Sequence, residues 1–165
     1  MIAVYAGSFS PPTKGHLDII RRASALFDEV VVAVLSQQAK QYIFPPEVRK
    51  EMLCEITGEL PNVRVVSDTG LLVDVVRRAN ADVIVRGLRN SSDLLFEMQM
   101  AEANRQIGNI EPVFISCLPE YSTISSTIVR DCAFHGAPID SMVPEKIIGK
   151  IYAAYGHGPC AERKG

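Results

Sequence analysis

Near the start of the chain, AGSFSPPTKGH (residues 6–16) packs two glycines, two adjacent prolines, two serines, a threonine, a lysine and a histidine between an apolar run at 2–6 and a helical pattern that ends at Phe27. Such a loop suits phosphate chemistry. Glycine lets backbone approach a ligand closely, and exposed amides at a helix start attract anions. Pro11 and Pro12 stiffen the turn without supplying donors. The pattern predicts that Gly15 precedes the helix and that His16 opens it. Neither G-x-G-x-x-G nor G-x-x-x-x-G-K-[ST] is present, which sets the stretch apart from the two common phosphate loops. Taken alone, it reads equally well as a proline-rich turn with a histidine at a helix start.

Three further stretches carry groups that suit an anionic ligand. ISSTIVR, residues 124–130, opens a helical pattern with hydroxyls; it is either an ordinary serine cap or a second source of hydroxyls and amides for phosphate. VRGLR, residues 85–89, sets two arginines around Gly87 and Leu88, and guanidinium forks recognise phosphate bidentately. The helical pattern after it, FEMQMAEANR, offers Glu97, with Met98 and Met100 read as packing side chains. Lys40 stands in a loop where a lone lysine is normally solvated.

These residues need elements to position them. Short β-branched runs at 2–6, 29–35, 62–67, 82–87 and 111–117 alternate with helical patterns at 16–27, 46–58, 71–80, 92–107 and 125–135, and a last amphipathic segment spans 144–155. Several of the runs are continuously apolar, as in parallel strands covered on both faces. Pro46 suits a first helical turn and Gly58 a helix end, while Ser92 is the expected cap of the long fourth helix, with Asp93 favouring its positive end. The order predicts one α/β domain: a doubly wound, Rossmann-like, five-stranded, mostly parallel sheet with a C-terminal helix, over residues 1–155. Residues 156–165, with GHGPCAERKG at the end, read as a flexible tail. Ligands bind such sheets beyond the carboxyl ends of the strands, near the topological switch point. Apart from Glu97, which lies inside a helical pattern, the candidate residues above fall in or beside those loops.

Composition narrows the partners. The chain has 165 residues, 47% of them hydrophobic and 22% charged, with a net charge of −2. That is ordinary for one globular domain and lacks the basic excess a nucleic-acid binder needs. Cys54, Cys117, Cys132 and Cys160 form no C-x-x-C pair, so neither a zinc site nor a disulfide framework is expected, and His157 with Cys160 is an incidental pair. No basic segment followed by a long apolar one opens the chain, and no uncharged stretch reaches spanning length, which predicts a soluble, cytoplasmic protein with no membrane partner.

The loop GSFSPPTKGH resembles the first signature of the nucleotidylyltransferase superfamily, a G-x-F-[DS]-P loop closing in [HT]-x-G-H. Thr13 at the first of those four positions is similar to the phosphopantetheine adenylyltransferase branch, and Ser10 replaces the usual aspartate but can still make a turn hydrogen bond. ISSTIVR resembles the superfamily's second signature, I-S-S-[ST]-x-x-R, and FEMQMAEANR resembles the branch's E-M-Q-[LM]-A-x-x-N-R helix. Lys40 corresponds to the lysine of N-P-x-K, although Gln37, Gln38 and Ala39 stand before it. The resemblance runs from residue 2 to about residue 155.

It implies transfer of AMP from ATP to 4′-phosphopantetheine, giving dephospho-coenzyme A and pyrophosphate. The roles it implies are specific. His16 meets the α- and β-phosphates, and with Lys40 and Arg89 makes up the catalytic set. Ser8 lies between the two substrates, Lys40 and Arg86 bind the acceptor phosphate, and Leu72 lines the pantetheine arm. Ser8, Phe9, His16, Gly87, Leu88, Arg89, Glu97, Tyr121, Ser122, Thr123, Ile124, Ser125, Ser126 and Thr127 hold ATP. Magnesium arrives on the triphosphate. A homo-oligomer, hexameric in the family, and inhibition by coenzyme A are implied as well. Two other readings stay open: a different acceptor, such as nicotinate mononucleotide, or a non-catalytic adenine-nucleotide sensor. Release of pyrophosphate separates enzyme from sensor.

Overall fold

A computed structural model describes residues 1–36 and 42–157. The expected alternation is realised element for element. Five strands, β1 (Ile2–Gly7), β2 (Glu29–Leu35), β3 (Val63–Asp68), β4 (Val83–Leu88) and β5 (Glu111–Ser116), form one sheet in the order β3-β2-β1-β4-β5, and every neighbouring pair is parallel. The helices are α1 (Lys14–Leu26), α2 (Pro46–Thr57), α3 (Leu72–Ala79), α4 (Ser91–Gly108), α5 (Ser126–Phe134) and α6 (Glu145–Ala154). The chain winds outward from β1 to β3 and then returns to place β4 on the other side of β1. The switch point therefore lies between β1 and β4, whose carboxyl ends are Gly7 and Leu88.

Strand β2 shows why the apolar runs are continuous. Val30, Val32 and Val34 enter one core with Ile20, Met52 and Ile147, whereas Val31 and Ala33 enter the other with Val73 and Val76. Successive side chains of a strand point to opposite faces, so a central strand clad on both sides must be apolar throughout. Full burial of each such valine contributes on the order of 1.5–3 kcal/mol.

The caps of two helices differ from expectation, and the other starts lie within one residue of it. Thr13, not Gly15, caps α1, and His16 is its third helical residue. Asn90, not Ser92, caps α4, its side chain accepting from Asp93 N at 2.9 Å. Pro46 and Gly58 stand where the pattern put them, and Ser125 caps α5. Helix α4 is the least embedded of the set: Ala101 is its one buried residue, and Met98 and Met100, read as packing side chains, are exposed. Among the described residues no helix is long and apolar enough to cross a membrane.

The chain remains anchored a little beyond α6. His157 donates its amide to Tyr152 O at 3.0 Å, and its ring Nε2 lies 3.1 Å from Phe134 O. The docked part thus includes the first two residues of the expected tail; residues 158–165, Cys160 among them, are outside the described residues. Cys54, Cys117 and Cys132 are free thiols.

Candidate active site

The carboxyl ends of β1 and β4 and the amino ends of α1 and α5 surround a cavity of about 310 Å³. Its first wall is the loop after β1. Thr13 and His16 lock each other in a reciprocal cap: His16 N donates to Thr13 Oγ1 at 3.3 Å, and Thr13 N donates to His16 Nδ1 at 3.0 Å. Because Nδ1 accepts from a backbone N–H, the neutral ring carries its proton on Nε2. Burial, aided by the charge of Arg89, pushes the imidazole down to about 4. At neutral pH His16 is therefore an uncharged donor held in one tautomer, beside the positive end of α1.

Phe9 completes this wall in an unusual way. Its φ is +45°, a left-handed conformation that costs a bulky residue free energy, and its ring is almost fully buried. The ring packs edge-on against both Tyr5 and His16, with centroid distances of 5.5 and 5.0 Å. Gly7 makes room for it: a Cβ there would stand 3.1 Å from the Phe9 ring. On β4, a Cβ at Gly87 would meet Ile19 Cγ1 at 3.0 Å, so that glycine lets α1 approach the sheet. Burial raises the pKa of the Tyr5 phenol, which also lines the cavity.

The opposite wall is charged. Arg86, at the end of β4, forms a two-pronged ion pair with Glu97 of α4, and both side chains are largely buried. Arg89 pairs with Asp93 at 2.9 Å, and its Nη1 reaches Ile124 O at 3.3 Å. The third wall is the start of α5, where Ser125 Oγ accepts from Ile128 N at 3.2 Å. Ser126 Oγ donates to Pro11 O at 2.8 Å, and Arg130 Nη1 donates to Ser10 O at 2.5 Å, so the two helix starts are tied to one another. The turn bond open to Ser10 is not made: its buried Oγ has no hydrogen-bond partner among the described residues.

The expected site residues divide accordingly. Phe9, His16, Arg86, Gly87, Arg89, Glu97 and the segment from Ile124 to Thr127 meet at the cavity. Ser8 and Leu88 adjoin lining residues without lining it themselves. Tyr121 ends a 3-10 turn at Pro119–Tyr121 and borders a neighbouring cavity beside Lys14; Ser122 Oγ donates back to Pro119 O at 2.7 Å, and Thr123 is exposed. Leu72 starts α3 against the second core and does not line the cavity. Lys40 is outside the described residues.

Sequence reasoning missed several contributors. Asp93 favours the positive end of α4 as its place in the first turn predicts, and its carboxylate also anchors Arg89, for which the Asn-x-x-Asp spacing of a capped start is the available signal. Tyr5 and Cys117 were hidden in apolar strand patterns. Nothing local marked Arg49, described below. Among the described residues, no group of three or more His, Cys, Asp or Glu side chains could hold a metal ion, and the cavity's carboxylates, Asp93 and Glu97, are both engaged by arginines.

Comparison with known proteins shows the family of the chain. The cytidylyltransferase-like family model matches residues 4–132. Three proteins named phosphopantetheine adenylyltransferase are similar over most of their length. The one from Picosynechococcus sp. is 46% identical over 156 residues, covering 94% of this chain and 88% of its own. That from Nocardioides sp. is 42% identical over 156 residues, covering 94% and 98%, and that from Symbiobacterium thermophilum is 51% identical over 143 residues, covering 86% and 88%. Among solved structures, a Vibrio parahaemolyticus protein named "Putative Nicotinate-nucleotide Adenylyltransferase" matches with a TM-score of 0.67 at 21% identity, over 93% of this chain and 94% of its own, a likeness of fold.

Proposed function

The chain belongs to the phosphopantetheine adenylyltransferases, nucleotidyltransferase enzymes within the cytidylyltransferase-like family, and from that premise we propose that it transfers AMP from ATP to 4′-phosphopantetheine. An oxygen of the acceptor phosphate attacks the α-phosphorus in line. The bond from that phosphorus to the bridging oxygen of the β-phosphate breaks, and pyrophosphate leaves. The acceptor is already an anion, so neither a protein nucleophile nor a general base is needed. What the protein must supply is alignment and stabilisation of charge that grows on the leaving group.

One observation carries this reading: two helix starts, a neutral histidine fixed as a donor and two arginines converge on one cavity at the sheet's switch point. His16 Nε2–H donates to the α/β-phosphate oxygens. The Ile124–Thr127 segment holds the outer phosphates at the positive end of α5. Arg86 takes the acceptor phosphate, with Lys40, and Arg89 takes ATP. Magnesium enters as part of the substrate, chelated by the triphosphate, since the cavity's own carboxylates are occupied. A homo-oligomer, hexameric by resemblance, is in keeping with Leu95, Phe96 and Met98 exposed along α4. Coenzyme A as an inhibitor and a cytoplasmic site of action belong to the same reading.

The test is acceptor choice, followed as pyrophosphate release from ATP. Release is expected with 4′-phosphopantetheine, and little with pantetheine, which lacks the attacking anion and offers Arg86 nothing to draw it from Glu97. Release with nicotinate mononucleotide instead would move the enzyme to a neighbouring acceptor class. Tight ATP binding with no release from any acceptor would make the protein a sensor.

A further inference from the structure

Arg49 of α2 is fully buried, although its side chain is charged and no ion pair forms on it among the described residues. A guanidinium in such a place is costly unless its donors are satisfied. Its fork is spread over three chain segments: Nη1 donates to Ser8 O at 2.6 Å and to Leu35 O at 3.3 Å, Nη2 to Ser36 Oγ at 2.7 Å, and Nε to Phe44 O at 3.0 Å. The Tyr42 ring lies 4.3 Å from the guanidinium carbon. One side chain thus joins the carboxyl ends of β1 and β2 to the start of α2.

The bond to Ser8 O has a consequence for the cavity. In a trans peptide the C=O and the following N–H point in opposite directions. With Ser8 O drawn toward the buried guanidinium, the N–H of Phe9 faces away from Arg49. Phe9, which follows that peptide, sits at a φ of +45°, a conformation that surrounding structure must enforce.

We infer that Arg49 is a positioning residue for nucleotidyl transfer, which, by holding the Ser8 carbonyl, fixes the Phe9 N–H as a donor to substrate phosphate. The inference rests on the proposed function for the identity of the reaction, but the peptide orientation can be read without turnover. A lysine at this position keeps the charge and loses the fork; a methionine removes both and fills most of the volume.

The experiment compares wild type with Arg49→Met and Arg49→Lys, each labelled with 15N-phenylalanine. Turnover is measured with ATP and 4′-phosphopantetheine, and the amide resonances are recorded on the free protein. Arg49→Met should lower kcat at least tenfold while KM for ATP changes less than about threefold, and Arg49→Lys should recover part of the loss. In both variants the Phe9 amide resonance should move, and those of Phe27, Phe96 and Phe134 should stay in place. If the methionine variant does not fold, the lysine variant decides by the same two readings. A stationary Phe9 resonance, or kcat within twofold of wild type, overturns the inference. If wild type itself fails to use 4′-phosphopantetheine, the proposed function falls, and the Phe9 resonance alone decides the role of Arg49.

Discussion

On the β1 side of the cavity, the loop from Ser8 to His16 is held by neutral hydrogen bonds and by arginines that grip its carbonyls: Arg49 on Ser8, Arg130 on Ser10, and the Thr13–His16 cap. On the β4 side, Arg86 and Arg89 are held by carboxylates of α4, the helix with one buried residue. The first side presents a histidine whose tautomer and charge are set before any ligand arrives. The second presents cations whose present partners are anions, so that under the proposed function a substrate phosphate would enter by competing with Glu97 and Asp93. One wall is held through contacts to backbone and the other through ion pairs. Under the proposed function, the first wall would align the leaving group and the second would capture the two anionic substrates.

The strongest challenge to this division is His16→Ala. If the first wall supplies transition-state donors, the variant should fold, retain most of its ATP affinity and lose roughly 3 to 4 kcal/mol of transition-state stabilisation, a fall in kcat of two to three orders of magnitude. Steady-state kinetics and ATP calorimetry on the same sample check it; near-wild-type turnover would remove His16 from the chemistry.

A smaller effect is expected on the second wall. Arg86→Ala should weaken 4′-phosphopantetheine binding by about 1.5 to 3 kcal/mol, the worth of a charge-assisted bond, with a lesser effect on ATP. Calorimetry with each ligand separately is the measurement. Equal losses for both would mean that Arg86 and Arg89 do not divide the substrates between them.

The smallest change concerns the one flaw in the first wall. Ser10 Oγ is buried without a partner, and an unsatisfied hydroxyl of that kind costs about 1 to 3 kcal/mol. Ser10→Ala should therefore raise stability by about 1 kcal/mol in urea denaturation and leave activity intact. Destabilisation would show that the hydroxyl is satisfied in solution.

The sequence by itself determined the alternation of strands and helices, the parallel sheet, and the strand ends and helix starts at or beside which His16, Arg86, Arg89 and the Ile124–Thr127 segment stand. All of these rest on short-range physics: apolar period, proline and glycine at helix ends, and a side-chain cap one turn away. Even there, Thr13 and Asn90 took the caps from neighbouring candidates, because which capable residue bends into the extended cap geometry depends on where the preceding strand ends. Only the tertiary structure decided what holds the site in shape. Arg49 reaches Ser8 across 41 positions, Ser126 reaches Pro11 across 115 and Arg130 reaches Ser10 across 120. No local pattern encodes such pairs. They exist because the sheet order sets the carboxyl end of β1 beside those of β2 and β4 and near the start of α5, so that one short loop becomes the meeting point of distant side chains.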